Sequence, residues 1–228
     1  MKTINFIKKL SDDILYLRFS SALNKLSRMC PNWLFRYNKA WLMYTDRYKF
    51  PANTNEHITI KIADKSDIDD IIRISGIQKQ KIEYLLDSGV TCFLASLDNQ
   101  PPAAITWNLV GKCYIRGLGF IHDFGPDGAY GFWSMTLPEA RGLGLHAALM
   151  AAKAKYAIAH GAPHLYGIIE FDNNLSFAIR VRMGYKIVYE IYYLKLFFLK
   201  FSRLKNIPEN RATFRIFIKG SYEDTLII

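Results

Sequence analysis

Hydrophobic and polar residues alternate along several short stretches of the chain, a pattern typical of β-strands with one buried face. In the clearest case Ile58, Ile60 and Ile62 alternate with polar neighbours. A polar turn at residues 98–101 separates two such stretches and predicts an antiparallel hairpin. We expect strands over residues 57–64, 90–97, 103–110, 129–137, 164–170, 185–198 and 213–218.

Four later segments have helical patterns. They cover residues 66–74, 78–86, 144–159 and 175–183. The third is alanine-rich and apolar on most faces, which predicts a buried helix. With the strands on either side it forms a β-α-β unit over residues 129–170. The predicted fold class is therefore α/β (α+β), with a mixed, mostly antiparallel central sheet flanked by helices. The glycine-rich stretch 113–127 predicts no regular element.

Residues 1–50 predict a helical segment of different character, which is basic and rich in aromatic residues. Pro31 separates an early run from a second segment over 33–44, in which apolar and basic residues occupy alternate turns. A helix at a membrane surface and a helix docked on the protein's own core share this pattern, so both stay open. A linker follows at 51–55. The early run is marked by Leu15, Leu17, Phe19, Leu23 and Leu26.

The composition indicates a globular protein with one sizeable core. The 228 residues are 50% hydrophobic and 22% charged, which excludes a disordered chain. Three cysteines, Cys30, Cys92 and Cys113, are too few for a disulfide scaffold, and we expect reduced core thiols in a cytoplasmic protein. Uncharged apolar runs are too short for a spanning helix or a signal peptide.

Charge is concentrated at the two ends. Residues 1–50 carry ten Lys or Arg and three Asp, and residues 180–220 carry ten against two acidic residues. The segment between them has ten against thirteen, so a slightly acidic middle lies between basic ends. Solvated faces explain this as well as an anionic partner does, such as a membrane surface. A nucleic-acid partner is not expected, because the chain has no zinc pattern, RNP motif or basic helix-turn-helix.

The turn over residues 138–144 carries the most specific chemistry. Its sequence is Pro-Glu-Ala-Arg-Gly-Leu-Gly, placed between a predicted strand and the buried helix. The glycines let a ligand approach the backbone, and the first helical N–H groups point outward at the positive end of the helix dipole. Arg141 adds a full charge, so the turn predicts an anion site suited to a pyrophosphate. An ordinary strand–turn–helix has the same spacing and stays open.

These residues resemble the GNAT superfamily of acyl-CoA-dependent N-acetyltransferases. The family pattern Arg/Gln-x-x-Gly-x-Gly/Ala is met at Arg141 and Gly144, while His146 stands where Gly or Ala is usual. A second similarity lies downstream, where Asn173 is followed by Ser176 and by a Gly-Tyr pair at 184–185. The resemblance covers about residues 57–219. It implies an acyltransferase domain there, an N-terminal extension over 1–50 and a tail over 220–228.

The resemblance implies that acetyl-CoA lies between the fourth and fifth strands of the family fold. Backbone groups at 135–137 would hold the pantetheine, and N–H groups at 142–146 would bind the pyrophosphate. His146 would contact a phosphate or face solvent. No metal is expected. The full set of implied coenzyme-binding residues is Met135, Thr136, Leu137, Arg141, Gly142, Leu143, Gly144, Leu145, His146, Asn173 and Arg180.

The family mechanism is direct attack of an amine on the thioester, and one of its usual residues differs here. A Tyr that protonates the leaving thiolate often stands seven residues after the Asn, where this chain has Arg180. Arg does not act as an acid, because it does not give up its proton. It would stabilise a thiolate or a CoA phosphate by charge. The alternative is an exposed basic residue on a helix.

The general base is predicted from position in the expected cleft. Glu170, at the end of a strand that lines the cleft, is the first candidate, and Asp172 is the second. His122 and Asp123 are weaker candidates, and Glu139 is interpreted as structural.

The expected function is transfer of an acetyl or short acyl group from CoA to a primary amine of a small molecule or amino sugar. Acetylation of a protein amine and a non-catalytic binding or assembly module are the alternatives. Expected partners are the small-molecule acceptor and, through residues 1–50, a membrane surface, another protein or a second copy in a homodimer. We expect a cytoplasmic location, either free or peripheral at the inner face of the membrane.

Overall fold

A computed structural model of the protein describes residues 34–49, 56–115, 120–197, 199–206, 211–217 and 226–227, with separate positions between 23 and 31. The described positions between 23 and 29 are helical. The predicted run around Leu15, Leu17 and Phe19 lies outside the described residues, as does most of the tail over 220–228. None of the helices among the described residues is long and apolar enough to cross a membrane.

A sheet of nine strands forms the centre of the protein. Its order is β2-β3-β4-β7-β8-β1-β9-β10-β11, and all neighbours are antiparallel except β7 and β8. The predicted mixed, mostly antiparallel sheet is therefore confirmed. The strands are β1 (Phe35–Thr45), β2 (Ile58–Ile62), β3 (Thr91–Leu97), β4 (Ala104–Val110), β7 (Gly128–Thr136), β8 (His164–Glu170), β9 (Lys186–Leu196), β10 (Leu199–Asn206) and β11 (Arg211–Phe217).

The glycine-rich stretch without a predicted element contributes a short hairpin. Its strands are β5 (Lys112–Ile115) and β6 (Phe120–Asp123), and β12 (Leu226–Ile227) adds to β5 as a parallel neighbour. Strands of four residues are too short for an alternating pattern to be distinctive, which explains why the sequence did not predict them.

The four predicted helices are present with small shifts at their ends. They are α1 (Ile68–Ser75), α2 (Lys79–Asp87), α3 (Leu145–Ala159) and α4 (Asn174–Arg182). A capping box at Asp64 starts the 3-10 turn that leads into α1, and Gly76 ends α1 in a left-handed conformation. Helix α3 follows β7, and α4 follows β8. Because α3 connects the two parallel strands, it is the crossover of the predicted β-α-β unit.

The helical interpretation of residues 33–44 is wrong, because Phe35–Thr45 is the strand β1 in the middle of the sheet. It is antiparallel to both β8 and β9. Ala40, Leu42 and Met43 are fully buried, so the strand is covered on both faces. A strand covered on both faces has no simple alternation and is easily mistaken for a helix. The sheet thus begins well before residue 57.

The two faces of the sheet have different cores. On one face α1 and α2 pack on Leu94, Ile105 and Trp107 in a single large cluster. On the other face α3 and α4 cover two separate clusters. One includes Met150, Leu165 and Tyr185, and the other includes Phe93, Ala104 and Leu149. We call these the α1/α2 face and the α3/α4 face.

Candidate functional site

The two parallel strands β7 and β8 separate halfway along their length. Their pairing runs from Gly128 opposite His164 to Gly131 opposite Gly167, and ends there. Beyond this point β7 stays paired with β4 up to Thr136, and β8 stays paired with β1 up to Glu170. Each strand therefore turns toward the other an edge that pairs with no strand in the part of the chain that the structure describes. The result is a wedge-shaped gap between the two strands.

A β-bulge in β7 lies at the start of this gap. Phe132 is opposite Trp107 and Met135 is opposite Ile105, so Trp133 and Ser134 share one position of β4. Trp133 has a φ of 44°, in the left-handed region. A bulge bends its strand and increases the local twist. The bulge is therefore a local reason for β7 to turn away from β8 before residues 135–137, which the family resemblance implies would hold pantetheine.

The predicted anion-binding turn follows β7 directly. After a short 3-10 turn over Pro138–Ala140, Gly142 and Gly144 adopt φ values of 81° and 89°, which favour glycine. The first N–H of α3 that reaches a helical carbonyl is that of Ala148, which donates to the Gly144 oxygen at 3.0 Å. The N–H groups before it point out of the helix end, beside the exposed Arg141.

His146 lies in the first turn of α3 and is half-buried, so it does not simply face solvent. Burial, with smaller contributions from the charges of Lys153 and Arg180, lowers its pKa to about 4. The imidazole is therefore neutral at physiological pH. Lys153 and Arg180 therefore lie close enough to the imidazole to disfavour its charged form.

Arg180 of α4 is not an exposed helix residue, and that alternative is wrong. Its side chain is 7% exposed and reaches under the sheet to Gly167 of β8. The guanidinium carbon lies 4.7 Å from the ring centre of Tyr185, and burial of that tyrosine raises its pKa. The terminal nitrogen Nη1 is buried without a hydrogen-bond partner among the described residues.

Lys153 of α3 is a second buried basic residue, which was not among the predicted site residues. It is 3% exposed, and its Nζ lies 3.3 Å from the Met150 sulfur. Burial, and then the charge of Arg180, lowers its pKa well below that of an ordinary lysine. Lys153 shares a buried stripe with Leu149 and Ala157, but the helix is alanine-rich on most faces, so this spacing alone does not indicate a buried lysine.

These two cations lie where the apolar core of the α3/α4 face is interrupted. Gly131 and Gly167, the last pair of the parallel ladder, leave the space that Lys153 and Arg180 fill. Asn108, which is buried opposite Gly131 on β4, adds a polar neighbour. Among the described residues, no ion pair includes either cation. Buried charges without a counter-ion are costly, so this recess favours an anion.

The two candidate bases lie at the end of β8. Alternation along β8 places Glu170 with Tyr166 and Ile168 on the α1/α2 face, opposite Gly167. Glu170 is exposed, and its Oε1 accepts a hydrogen bond from the Asn38 side-chain amide at 3.2 Å. Asp172 is exposed just beyond the strand. The structure thus brings Glu170 to the edge of the gap, on the face away from the buried cations.

Three other predicted residues lie in a helix cap, a turn and an aromatic contact. The Asn173 oxygen accepts the Ser176 N–H at 3.1 Å, so this side chain caps α4. The Asp123 carboxylate accepts the Gly125 N–H in a turn. His122 packs 4.5 Å from the Phe124 ring and shares the α1/α2 face with Glu170.

Glu139 is exposed in the 3-10 turn. The part of the chain that the structure describes holds no group of three His, Cys, Asp or Glu arranged for a metal ion.

Comparison with solved structures gives the fold. A tandem GNAT protein from the clavulanic acid biosynthesis pathway superimposes with a TM-score of 0.52 and 13% identity, over 70% of this chain and 54% of that one. A conserved protein of unknown function from Staphylococcus epidermidis has a TM-score of 0.52 and 11% identity, over 75% and 65%. A Drosophila protein has a TM-score of 0.52 and 16% identity, over 71% and 52%.

The chain therefore has the GNAT fold, as its motifs predict, and it spans 52% to 65% of the length of these solved structures. No protein-family model matches the sequence. No curated protein is similar to it in sequence.

Proposed function

We propose that the protein is an acyl-CoA-dependent N-acyltransferase, which moves an acetyl or short acyl group to a primary amine of a small molecule or amino sugar. The observation that carries the proposal is the gap between β7 and β8, which opens after Gly131 and Gly167 and leads to the glycine turn before α3. A free strand edge next to an anion-binding helix N-terminus suits an acyl-CoA, because the coenzyme combines two amides with a pyrophosphate.

Each part of the coenzyme would have a matching group in the gap. The pyrophosphate would bind the outward N–H groups of residues 142–146, with Arg141 as the charged donor. The amides of the pantetheine arm would pair with the free edge of β7 at Met135 and Thr136, in the manner of an added strand. Acetyl-CoA is then a substrate held by the backbone, so the side chains at 142–145 contribute little.

The acceptor amine would approach from the α1/α2 face. The gap passes through the sheet, and Glu170 stands at its edge on that face. A carboxylate there takes the proton that the amine loses as its nitrogen bonds to the thioester carbon. Asp172 is the second candidate for this role, since it is exposed two residues further on.

Calorimetric titration with acetyl-CoA tests the proposal. We expect micromolar binding by the wild type, and a loss of at least about tenfold in Arg141→Ala, because a charge-assisted phosphate contact is removed. Gly144→Ala should weaken binding as well. Gly76→Ala is its matched control, since Gly76 has a φ of 66° at the end of α1, far along the chain from the turn. No binding by folded wild-type protein would overturn the proposal.

A second function with the same site is acetylation of a protein amine. The exposed end of β8, with Glu170 and Asp172, is as accessible to a peptide as to a small amine. A screen of small amines, amino sugars and peptides with free N-termini or lysines separates the two. Acetyl-CoA binding without transfer to any of them would favour a non-catalytic binding module.

A further inference from the structure

The two buried cations need an explanation that the coenzyme pyrophosphate does not give. Lys153 lies eight residues after the start of α3, which at 1.5 Å per residue is about 12 Å along the helix from its N-terminus. The pyrophosphate site is at that N-terminus. Lys153 and Arg180 instead face Gly131 and Gly167, at the closed end of the gap.

We infer that Lys153 and Arg180 together bind the thiolate of coenzyme A, the leaving group of the transfer, at the closed end of the gap. The inference rests on the proposed function. A pantetheine arm that starts at the glycine turn and follows the free edge of β7 carries its sulfur toward Gly131. The sulfur is also the part of the coenzyme arm that becomes charged during the reaction.

The recess is prepared for one anion. Within the described ranges, Nη1 of Arg180 is buried without a hydrogen-bond partner, and the Nζ of Lys153 has a methionine sulfur as its nearby acceptor. Ion pairs among the described residues supply no carboxylate to either cation. A buried charge pair of the same sign is destabilising, and one bound anion removes most of that cost. Glycine at 131 and 167 lets the ends of both basic side chains reach the sheet at the closed end of the gap, because a Cβ atom at either position would overlap them.

A thiolate fits these observations better than a carboxylate on the acyl group. The acyl group must reach the amine, and the candidate base Glu170 places that chemistry on the α1/α2 face. Lys153 and Arg180 lie on the α3/α4 face, on the side from which the coenzyme arm enters. The acid residues at the end of β8 would repel a negatively charged acyl group.

The step balances without a general acid. The amine nitrogen bonds to the thioester carbon, the carbon–sulfur bond breaks, and its electron pair stays on the sulfur as a thiolate between two cations. The proton lost by the amine goes to the base on the α1/α2 face. This explains how a chain with Arg180, which gives up no proton, releases its leaving group.

The test compares coenzyme A with S-methyl-CoA, which has the same arm but no ionisable thiol. We expect wild-type protein at neutral pH to bind coenzyme A at least about tenfold more tightly, which requires the thiol pKa to fall on binding from about 8.5 to about 6. The ultraviolet difference spectrum should show the thiolate band on binding. In Lys153→Met the band should disappear and the two ligands should bind equally. Lys155→Met, an exposed lysine on the same helix, is the matched control.

The outcomes separate this inference from the proposed function. Equal wild-type binding of both ligands without a thiolate band would overturn the inference and leave the coenzyme site standing. Preference for a succinyl over an acetyl thioester, lost in Lys153→Met, would overturn it in favour of a carboxylate. No binding of any coenzyme would overturn both. If Lys153→Met fails to fold, Arg180→Lys is the second variant. Because it keeps the charge, it should retain part of the preference for coenzyme A over S-methyl-CoA.

Discussion

Gly131 of β7 and Gly167 of β8 are the last pair of the parallel ladder, and each leaves room for one buried cation. A Cβ atom on Gly131 would overlap the Nζ of Lys153. One on Gly167 would lie 2.6 Å from the guanidinium carbon of Arg180. Neither glycine has a positive φ. Glycine is therefore required here because there is no room for a side chain, and not because of the backbone conformation. Where β7 and β8 separate, the ends of two basic side chains therefore occupy space that core side chains would otherwise fill.

Gly131→Ala should lower the free energy of unfolding by about 1–3 kcal/mol, because the added methyl group overpacks a buried site. The loss should shrink in the double variant with Lys153→Ala, since shortening the lysine makes room for the methyl group. Urea denaturation of the two single variants and the double variant gives the coupling energy. Effects that add to within about 0.5 kcal/mol would show that the two residues do not share this space.

Lys153→Met should raise the free energy of unfolding at neutral pH by about 1–3 kcal/mol, because an apolar side chain of similar length avoids the cost of burying a lysine, which either keeps its charge without a counter-ion or loses its proton on folding. Burial and the charge of Arg180 both lower the pKa of Lys153. Between the folded pKa and the unfolded value of about 10.4, the unfolded chain binds the extra proton. In this pH range the wild type therefore becomes more stable as pH rises. The difference in free energy of unfolding between Lys153→Met and the wild type becomes smaller.

Urea denaturation of both proteins between about pH 7 and pH 10 measures this difference. His146 is neutral throughout that range, and Lys155→Met corrects for the loss of one lysine charge. A wild type more stable than Lys153→Met at neutral pH would mean that the lysine has a counter-ion.

His146 should make the protein sensitive to mild acid. Its folded pKa is about 4, against about 6.5 in the unfolded chain. Between these values the unfolded chain binds one more proton, so stability should fall by about 2–3 kcal/mol as pH drops from 6.5 to 4. His146→Gln should remove that part of the loss, which unfolding curves of both proteins at several pH values would show. Parallel curves for the two proteins would mean that the imidazole titrates normally.

Local patterns predicted most of the fold. Alternation predicted β2, β3 and β4, and the alanine-rich stretch predicted α3, because each pattern depends on neighbours along the chain. The strand β1 was misread because it is buried on both faces, between strands that come more than 100 residues later. That environment is decided by the whole sheet and leaves no periodic trace in the strand itself.

The site residues also divide into those that local sequence predicts and those that depend on packing. The turn with Arg141 and Gly144 was predictable, because a helix N-terminus and its glycines are set within a few residues. Lys153 was not, because a lysine among alanines usually marks the exposed side of a helix. It becomes a buried cation only when α3 packs across Gly131, whose role is equally invisible along the chain. The role of Arg180 depended on the same packing.

Asn173→Ala distinguishes a cap from a coenzyme ligand. Because the Asn173 oxygen accepts the Ser176 N–H at the start of α4, its loss should lower the free energy of unfolding by about 1 kcal/mol. Acetyl-CoA affinity should change by less than about twofold. Asn173→Asp, which keeps the acceptor, should restore the stability. A large loss of affinity at unchanged stability would instead assign the side chain to the coenzyme.

Glu170→Gln should lower kcat by about 10²–10⁴-fold, because an amide does not take the proton that the attacking amine loses. Acetyl-CoA affinity should stay unchanged, since Glu170 lies on the α1/α2 face and the coenzyme arm enters from the other. Glu139→Gln, at an exposed position in the 3-10 turn, is the control for loss of one carboxylate. Single-turnover rates with pre-bound acetyl-CoA separate proton transfer from acceptor binding.

The same measurement on Asp172→Asn decides between the two candidate bases. Asp172 lies beyond the strand, where its position is set by a turn, whereas Glu170 is fixed by the pairing of β8 with β1 and by its hydrogen bond from Asn38. A base must be held within reach of the amine, so the carboxylate at the edge of the gap is the better candidate. Asn38→Ala should then slow the wild type and leave Glu170→Gln unaffected. If Asp172→Asn alone abolishes turnover, the base lies in the turn and Glu170 has another role.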